Sequence, residues 1–150
     1  MKTFEKISDL QHLIGQELGV SEWMTITQEQ INKFADATGD HQWIHIDPER
    51  AKAGPFGTTI AHGFLTLSLI PEMTVSAFRV KETRMGVNYG LNKVRFPAPV
   101  PVNSRLRGRF KLTEYIPLEG GAQMTVECTM EREGSDKPVC VAESLARRYA

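Results

Sequence analysis

Two rhythms of apolar and polar positions divide the chain. Beyond residue 105 the period is two. Leu106, Gly108, Phe110 and Leu112 alternate with Arg105, Arg107, Arg109 and Lys111, and Met124, Val126, Cys128 and Met130 alternate with Thr125, Glu127, Thr129 and Glu131. Such alternation predicts strands with one buried and one solvated face. Gly86 to Phe96 and Val139 to Tyr149 are further strand candidates, with turns at Gly120-Gly121 and Gly134-Ser135-Asp136. Consecutive strands on short turns argue for an antiparallel sheet.

The earlier part of the chain has the helical rhythm. Ile31, Phe34, Ala35 and Ala37 share one helical face. Thr27 is the expected N-cap, with Gln30 three residues on as in a capping box, and Gly39 is the natural stop. Asp40 to Thr59 reads as a loop punctuated by Pro48, Gly54, Pro55 and Gly57, with at most a short turn of helix from Glu49 to Ala53. Irregular stretches of that length inside a compact domain are commonly functional. His62 to Ile70 is apolar on nearly every side and predicts an interior helix, which Pro71 kinks or ends. One interior helix and a curved antiparallel sheet make an α+β architecture with the helix wrapped by the sheet.

The length of 150 residues suits one domain over 1–150. With 41% hydrophobic and 24% charged residues, disorder is excluded. Eighteen basic residues balance eighteen acidic ones, so no field draws in nucleic acid or anionic lipid, and neither partner is expected. No run approaches the ~20 apolar residues of a membrane span, and charges interrupt the first nineteen residues before a signal peptide could form. Cys128 and Cys140 lie in the alternating runs. Buried, reduced thiols in a cytoplasmic chain are the expectation, a disulfide between them the alternative.

Candidate chemistry gathers in one window. His41, His45 and His62 fall within twenty-two residues that also hold Asp47, with Asp40 directly before them. Histidine titrates near neutral pH, and a carboxylate beside it can orient the ring or share its grip on a water. On spacing alone, Asp40 capping a turn and His45 bonding a carbonyl is the weightier reading. His41 and His45, four apart, would share a helical face as a metal pair, but Pro48 and the loop character argue against a helix, and no metal is expected. Gly63 stands at the head of the interior helix, where an N–H lacks an intrahelical acceptor and can hold a developing oxyanion. Tight helix packing is an equally good reason for that glycine. The Arg105/Arg107/Arg109/Lys111 stripe reads as a solvated strand face.

Phe34-Ala35-Asp36-Ala37-Thr38-Gly39-Asp40-His41-Gln42-Trp43-Ile44-His45-Ile46-Asp47-Pro48, with Ala61-His62-Gly63 and Val94-Arg95-Phe96-Pro97-Ala98-Pro99-Val100, resembles the hydratase-2 motif of the MaoC-like (R)-specific enoyl-CoA hydratases, above all the nodulation-protein-N-like members. Gln42-Trp43 stands where Asn-Pro is commoner. The resemblance implies a hot-dog fold, a homodimer, and no cofactor. It implies reversible hydration of a trans-2-enoyl-CoA thioester to the (R)-3-hydroxyacyl product. Asp40 and His45 match the catalytic pair, and Gly63 matches the oxyanion-binding amide. Phe64, Leu65, Leu67, Phe56 and Trp43 are candidates for an acyl channel, although core packing suits most of them better. His62 and Asn88 are further candidates for substrate contact. A hot-dog thioesterase and a non-catalytic acyl-thioester-binding protein are the alternatives.

Overall fold

A computed structural model describes residues 1–150. Strand β1 (Lys2–Phe4) leads into a 3-10 turn (Ile7–Leu13), then β2 (Glu17–Val20) and β3 (Met24–Thr25). Helices α1 (Gln28–Thr38), α2 (Trp43–Ile46), α3 (Pro48–Lys52), α4 (Gly63–Ser68) and α5 (Ile70–Ala77) follow, and β4 (Phe78–Val80), β5 (Met85–Arg95), β6 (Arg105–Leu118), β7 (Gly121–Arg132) and β8 (Cys140–Tyr149) complete the chain. Six strands form an antiparallel sheet in the order β2-β6-β7-β8-β5, with β3 also on β6. β1 and β4 pair in parallel apart from it. Sheet and helix together are the hot-dog arrangement, α+β as the rhythms imply.

The sheet's inner face and the α4–α5 rod share one core. Leu65, Leu69, Met73 and Ala77 recur every fourth residue and so form one helical stripe. They are buried with Leu106, Phe110, Leu112, Met124, Cys128, Met130 and Ala142 from the alternating strands, and Ile7 and Leu10 of the 3-10 turn join them. On the opposite face of β6, Arg105 pairs with Glu133, Arg107 with Glu131, and Arg109 with Glu131 and Glu17. The basic stripe is therefore a solvated face laced by ion pairs. Cys128 and Cys140 are free and buried. Burial raises both thiols, that of Cys140 to about 11, so neither is a reactive thiolate near neutral pH. No helix is long and apolar enough to cross a membrane.

Helix α1 begins and ends as its sequence dictates. The Thr27 hydroxyl accepts from the Gln30 N–H at 3.2 Å, and Gly39 takes the left-handed conformation (φ 84°) that a side chain would disfavour. Ile31 and Ala35 are buried and Phe34 half-buried, but Ala37 is exposed.

Two expectations need correction, one about the stretch after α1 and one about the interior helix. The stretch from Asp40 to Thr59 is not a loop with one turn, because it carries both α2 and α3. Asp47 joins them: its carboxylate caps α3 by accepting from the Arg50 N–H, with Pro48 in the first turn where its missing N–H costs nothing. The interior helix is not buried all round, for Phe64 is 69% exposed. As Pro71 implies, it is two segments broken at Leu69, since that proline has no N–H to continue the ladder from α4. Strand β5 occupies the sheet edge with nearly every side chain exposed.

Candidate active site

Short elements bring the histidines of the window to the head of α4. In α2 the four residues Trp43–Ile46 turn His45 inward to 7% exposure. Its Nδ1 lies 2.7 Å from the Ile60 carbonyl. A carbonyl only accepts, so Nδ1 carries the proton and Nε2 keeps a lone pair. The backbone around it is fastened twice: Ile60 N–H donates to the Ile44 carbonyl, and Gln28 Nε2 donates to the His45 carbonyl at 2.7 Å. Gln28 is held in turn by the Thr59 hydroxyl.

His62 is the second buried imidazole, 2% exposed. Its Nε2 donates to the main-chain carbonyl of Asp40 at 3.0 Å, which ties the loop after α1 to the head of α4. The two rings stack, centroids 3.9 Å apart and 23° from parallel, and Phe34 of α1 closes the other side of His62 at 4.8 Å. His62 Nδ1 is buried without a partner. One ligand-type atom from each of Asp40, His45 and His62 lies within 4.8 Å of the other two. Two imidazoles stacked nearly face to face direct their in-plane lone pairs side by side, not toward one centre, so the cluster suits a water better than a tetrahedrally held metal. Asp40 itself is exposed.

Burial dominates the titration of His45 and lowers its pKa, reinforced by His62 and opposed by the Ile60 carbonyl and Asp40. At neutral pH the ring is therefore an uncharged proton acceptor. Above its pKa it can take a proton, and below it cannot, so catalysis that uses it as a base should fail on the acid side. The acid limb of kcat/KM should have its midpoint below 6.5, the ordinary histidine value. A limb centred above that value, read from initial rates between pH 5 and 8, would exclude His45 as the titrating base.

Gly63 is the first residue of α4, where the helix offers its N–H no acceptor. A Cβ there would sit 3.1 Å from the Phe96 ring, so the glycine lets that ring close over the helix head. His45, Gly63, Thr66, Phe56, Ile60 and Phe96 line one cleft of about 350 Å³.

Asp40, His45, Gly63, His62 and Phe56 are thus gathered in one region, and the other candidates are placed differently. Phe64 points outward, edge-on to Phe96 at 6.4 Å. Trp43 does not line the cleft; it packs against Gly54 and beneath the Arg50 guanidinium, 4.5 Å from its ring. Asn88 lines cavities shared with Ile70, Pro71 and Ser144, neither of which includes His45 or Gly63. His41 bonds exposed Asp36 at 3.0 Å and joins no ligand cluster. Gln28, Phe34 and Phe96 escaped the sequence reading as site residues. Gln28 carries no mark but its place in the first turn of α1, while Phe34 and Phe96 stand within the segments that carry the family resemblance without a role of their own there.

A family model described as MaoC like domain matches residues 9–134. The chain is 59% identical to 3-hydroxyacyl-thioester dehydratase Z of Mycobacterium tuberculosis, over 100% of both chains. It is 51% identical to nodulation protein N of Rhizobium leguminosarum bv. viciae, over 91% of this chain and 86% of that one. Among solved structures it superposes on one titled monoamine oxidase regulatory protein from Archaeoglobus fulgius with a TM-score of 0.76 and 24% identity, covering 99% of this chain and 97% of that one. A second is the (R)-hydratase from A. caviae involved in PHA biosynthesis, with a TM-score of 0.71 and 19% identity over 89% of this chain and 94% of that one.

Proposed function

The chain belongs to the MaoC-like domain family, and from that premise we propose that residues 1–150 form one domain that reversibly hydrates trans-2-enoyl-CoA thioesters to (R)-3-hydroxyacyl thioesters. The observation that carries this reading is an uncharged imidazole and an unclaimed helix N–H lining one cleft, with the Asp40 carboxylate within 4.8 Å of a ring nitrogen of that imidazole. The names of the relatives, one a 3-hydroxyacyl-thioester dehydratase and another a 3-hydroxybutyryl-CoA dehydratase 30% identical to this chain, point to the same reaction class.

A water between Asp40 and His45 donates one hydrogen bond to the carboxylate and one to His45 Nε2. Its remaining lone pair adds to C3 of the enoyl group while the pair accepts its proton. Electrons move through C2 onto the thioester oxygen, and the Gly63 N–H bonds the enolate oxygen as its charge grows. A proton returned from the pair to C2 completes the addition, so one water is consumed and no cofactor takes part. The steps are assigned to the pair together. His62 acts through Asp40, holding its main chain in place.

A second copy meeting the open β5 edge would extend the sheet and cover its exposed Val87, Tyr89 and Leu91, which supports a homodimer. Buried free thiols suit a cytoplasmic setting. A thioesterase would want a carboxylate or other water activator on the interior helix, and the first one there, Glu72, is exposed. The deciding experiment offers crotonyl-CoA to the purified chain. Loss of enoyl absorbance is the expected result; thiol release instead would mark a thioesterase, and neither signal an acyl-binding protein.

A further inference from the structure

Gln28, the first residue of α1, carries a carboxamide that joins the stretches of chain around His45. Its Nε2 donates to the His45 carbonyl at 2.7 Å and to Asn32 Oδ1 at 2.9 Å, and its Oε1 accepts from the Thr59 hydroxyl at 2.5 Å. Both amide hydrogens and the amide oxygen are thereby used. Exchanging oxygen for nitrogen would set the amide oxygen against the His45 carbonyl, so the orientation is fixed. Thr59 is 1% exposed, which shields its bond to Gln28 from water.

Two of these contacts close a circuit through His45. Thr59 precedes Ile60, whose carbonyl takes the His45 Nδ1 proton and whose N–H donates to the Ile44 carbonyl. From the imidazole the path runs through the Ile60 carbonyl to Thr59, across its hydroxyl to Gln28, and back to His45 at the main-chain carbonyl. Helix α2 needs that outside support. It has four residues, a single turn is unstable alone, and the last carbonyls of a helix find no donor within it. The circuit also bears on the tautomer. A neutral imidazole side chain free in water prefers its proton on Nε2, which leaves that nitrogen nothing to accept with. The Ile60 carbonyl opposes this preference only while ring and carbonyl stay in register.

We propose that Gln28 is a positioning residue for His45. With Thr59 it holds the ring and the Ile60 carbonyl in register, so that Nε2 keeps its lone pair in one direction. The consequence for turnover rests on the hydratase reading above, whereas the consequence for the ring does not.

Nitrogen NMR of the histidine rings in the intact protein, at about pH 8 where His45 is uncharged, tests the ring directly. The wild type should show widely separated shifts for the two His45 nitrogens, the mark of a single tautomer with its proton on Nδ1. Gln28→Met keeps the length of the side chain and removes its polar atoms, and there the two shifts should draw together as the Nε2–H form enters. On protein with the wild-type circular dichroism spectrum, kcat for crotonyl-CoA should fall at least about tenfold while KM stays within about twofold, since a displacement of about 1 Å costs rate more than binding. Thr59→Val keeps the shape of that side chain without the hydroxyl and should move shifts and kcat the same way, and Thr59→Ser should restore most of the loss. The double variant Gln28→Met/Thr59→Val should be little worse than Gln28→Met, because the circuit breaks only once. If Gln28→Met does not fold, Thr59→Val decides by the same criteria. Unmoved His45 shifts overturn the proposal whatever happens to kcat, and so does a loss expressed in KM instead of kcat. A glutamine that served only packing would lower the melting temperature and leave the shifts and kcat in place. Moved shifts with wild-type kcat keep Gln28 as the holder of the ring and take His45 out of the chemistry. A wild-type protein that does not hydrate crotonyl-CoA removes the hydratase reading and leaves the shifts to decide, so the two readings fail separately.

Discussion

Asp40→Asn and His45→Gln should each lower crotonyl-CoA hydration by at least about a hundredfold, the lower bound for general acid–base catalysis. Asp40→Asn changes charge at constant size. The side chain is exposed, so the amide finds water, and the contact that anchors this loop is made by the main-chain carbonyl to His62, which the substitution leaves alone. What is lost is an acceptor-only carboxylate able to take a proton. His45→Gln is the more delicate change because the ring is buried. The Gln amide can still donate to the Ile60 carbonyl in place of Nδ1, and its oxygen can accept from water, but it cannot hold a proton near neutral pH. Both variants should keep the wild-type circular dichroism spectrum, with melting temperatures lowered by no more than a few degrees. The double variant should be little worse than the weaker single one, since groups that act as a unit lose their shared contribution once. Near-normal turnover in either single variant removes that residue from the chemistry.

The strands of this fold were far more legible than its site. Arg105 to Lys111 and Thr125 to Glu131 alternate so regularly because one face meets the core and the other meets water, and a period of two records that directly. β5 was legible as a strand from its residue types, yet its exposure was not, because the identity of an edge strand is a property of topology. The two helices between Asp40 and Thr59 were hidden for another reason. At four and five residues they are too short to complete a periodic face, and caps such as Asp47 fix them. Pro71 was read correctly as an interruption, but whether proline kinks or breaks a helix depends on what the flanking segments pack against.

The site divides along the same line. Asp40, His45 and Gly63 drew attention by residue type and by resemblance, whereas spacing alone left the bland reading of the pair ahead. In fact His45 satisfies both: it does bond a backbone carbonyl, and that bond is what frees Nε2. His62 is a candidate for substrate contact by residue type, and the structure gives it a carbonyl to hold and a ring to support. The acceptor is a main-chain carbonyl, which leaves no side-chain signature at residue 40, so no pattern could have disclosed the pairing with the His62 ring.

Gly63→Pro should lower kcat by at least about a hundredfold beyond whatever Gly63→Ala costs. The comparison isolates one N–H. Proline at the first position of a helix forfeits only a donor that the helix does not use. The preceding residue, His62, already holds φ −59° and ψ 139°, in the extended region that a residue before proline adopts. The substitution also adds a Cβ, and that atom would press on the Phe96 ring at 3.1 Å. Gly63→Ala adds the same Cβ and keeps the N–H, so the strain appears in both variants, as a loss of about 1–3 kcal/mol in stability. Beyond it, Gly63→Pro alone deletes the bond to the enolate oxygen. Removing one such donor typically costs 10²–10³ in kcat, or about 3–4 kcal/mol, because the charge it meets exists only in the transition state. The same reasoning predicts that KM changes little, the ground-state thioester oxygen being weakly charged. Equal kcat values for the alanine and proline variants, measured on protein shown to be folded, would leave the Gly63 amide without a catalytic role and assign the glycine to Phe96 alone.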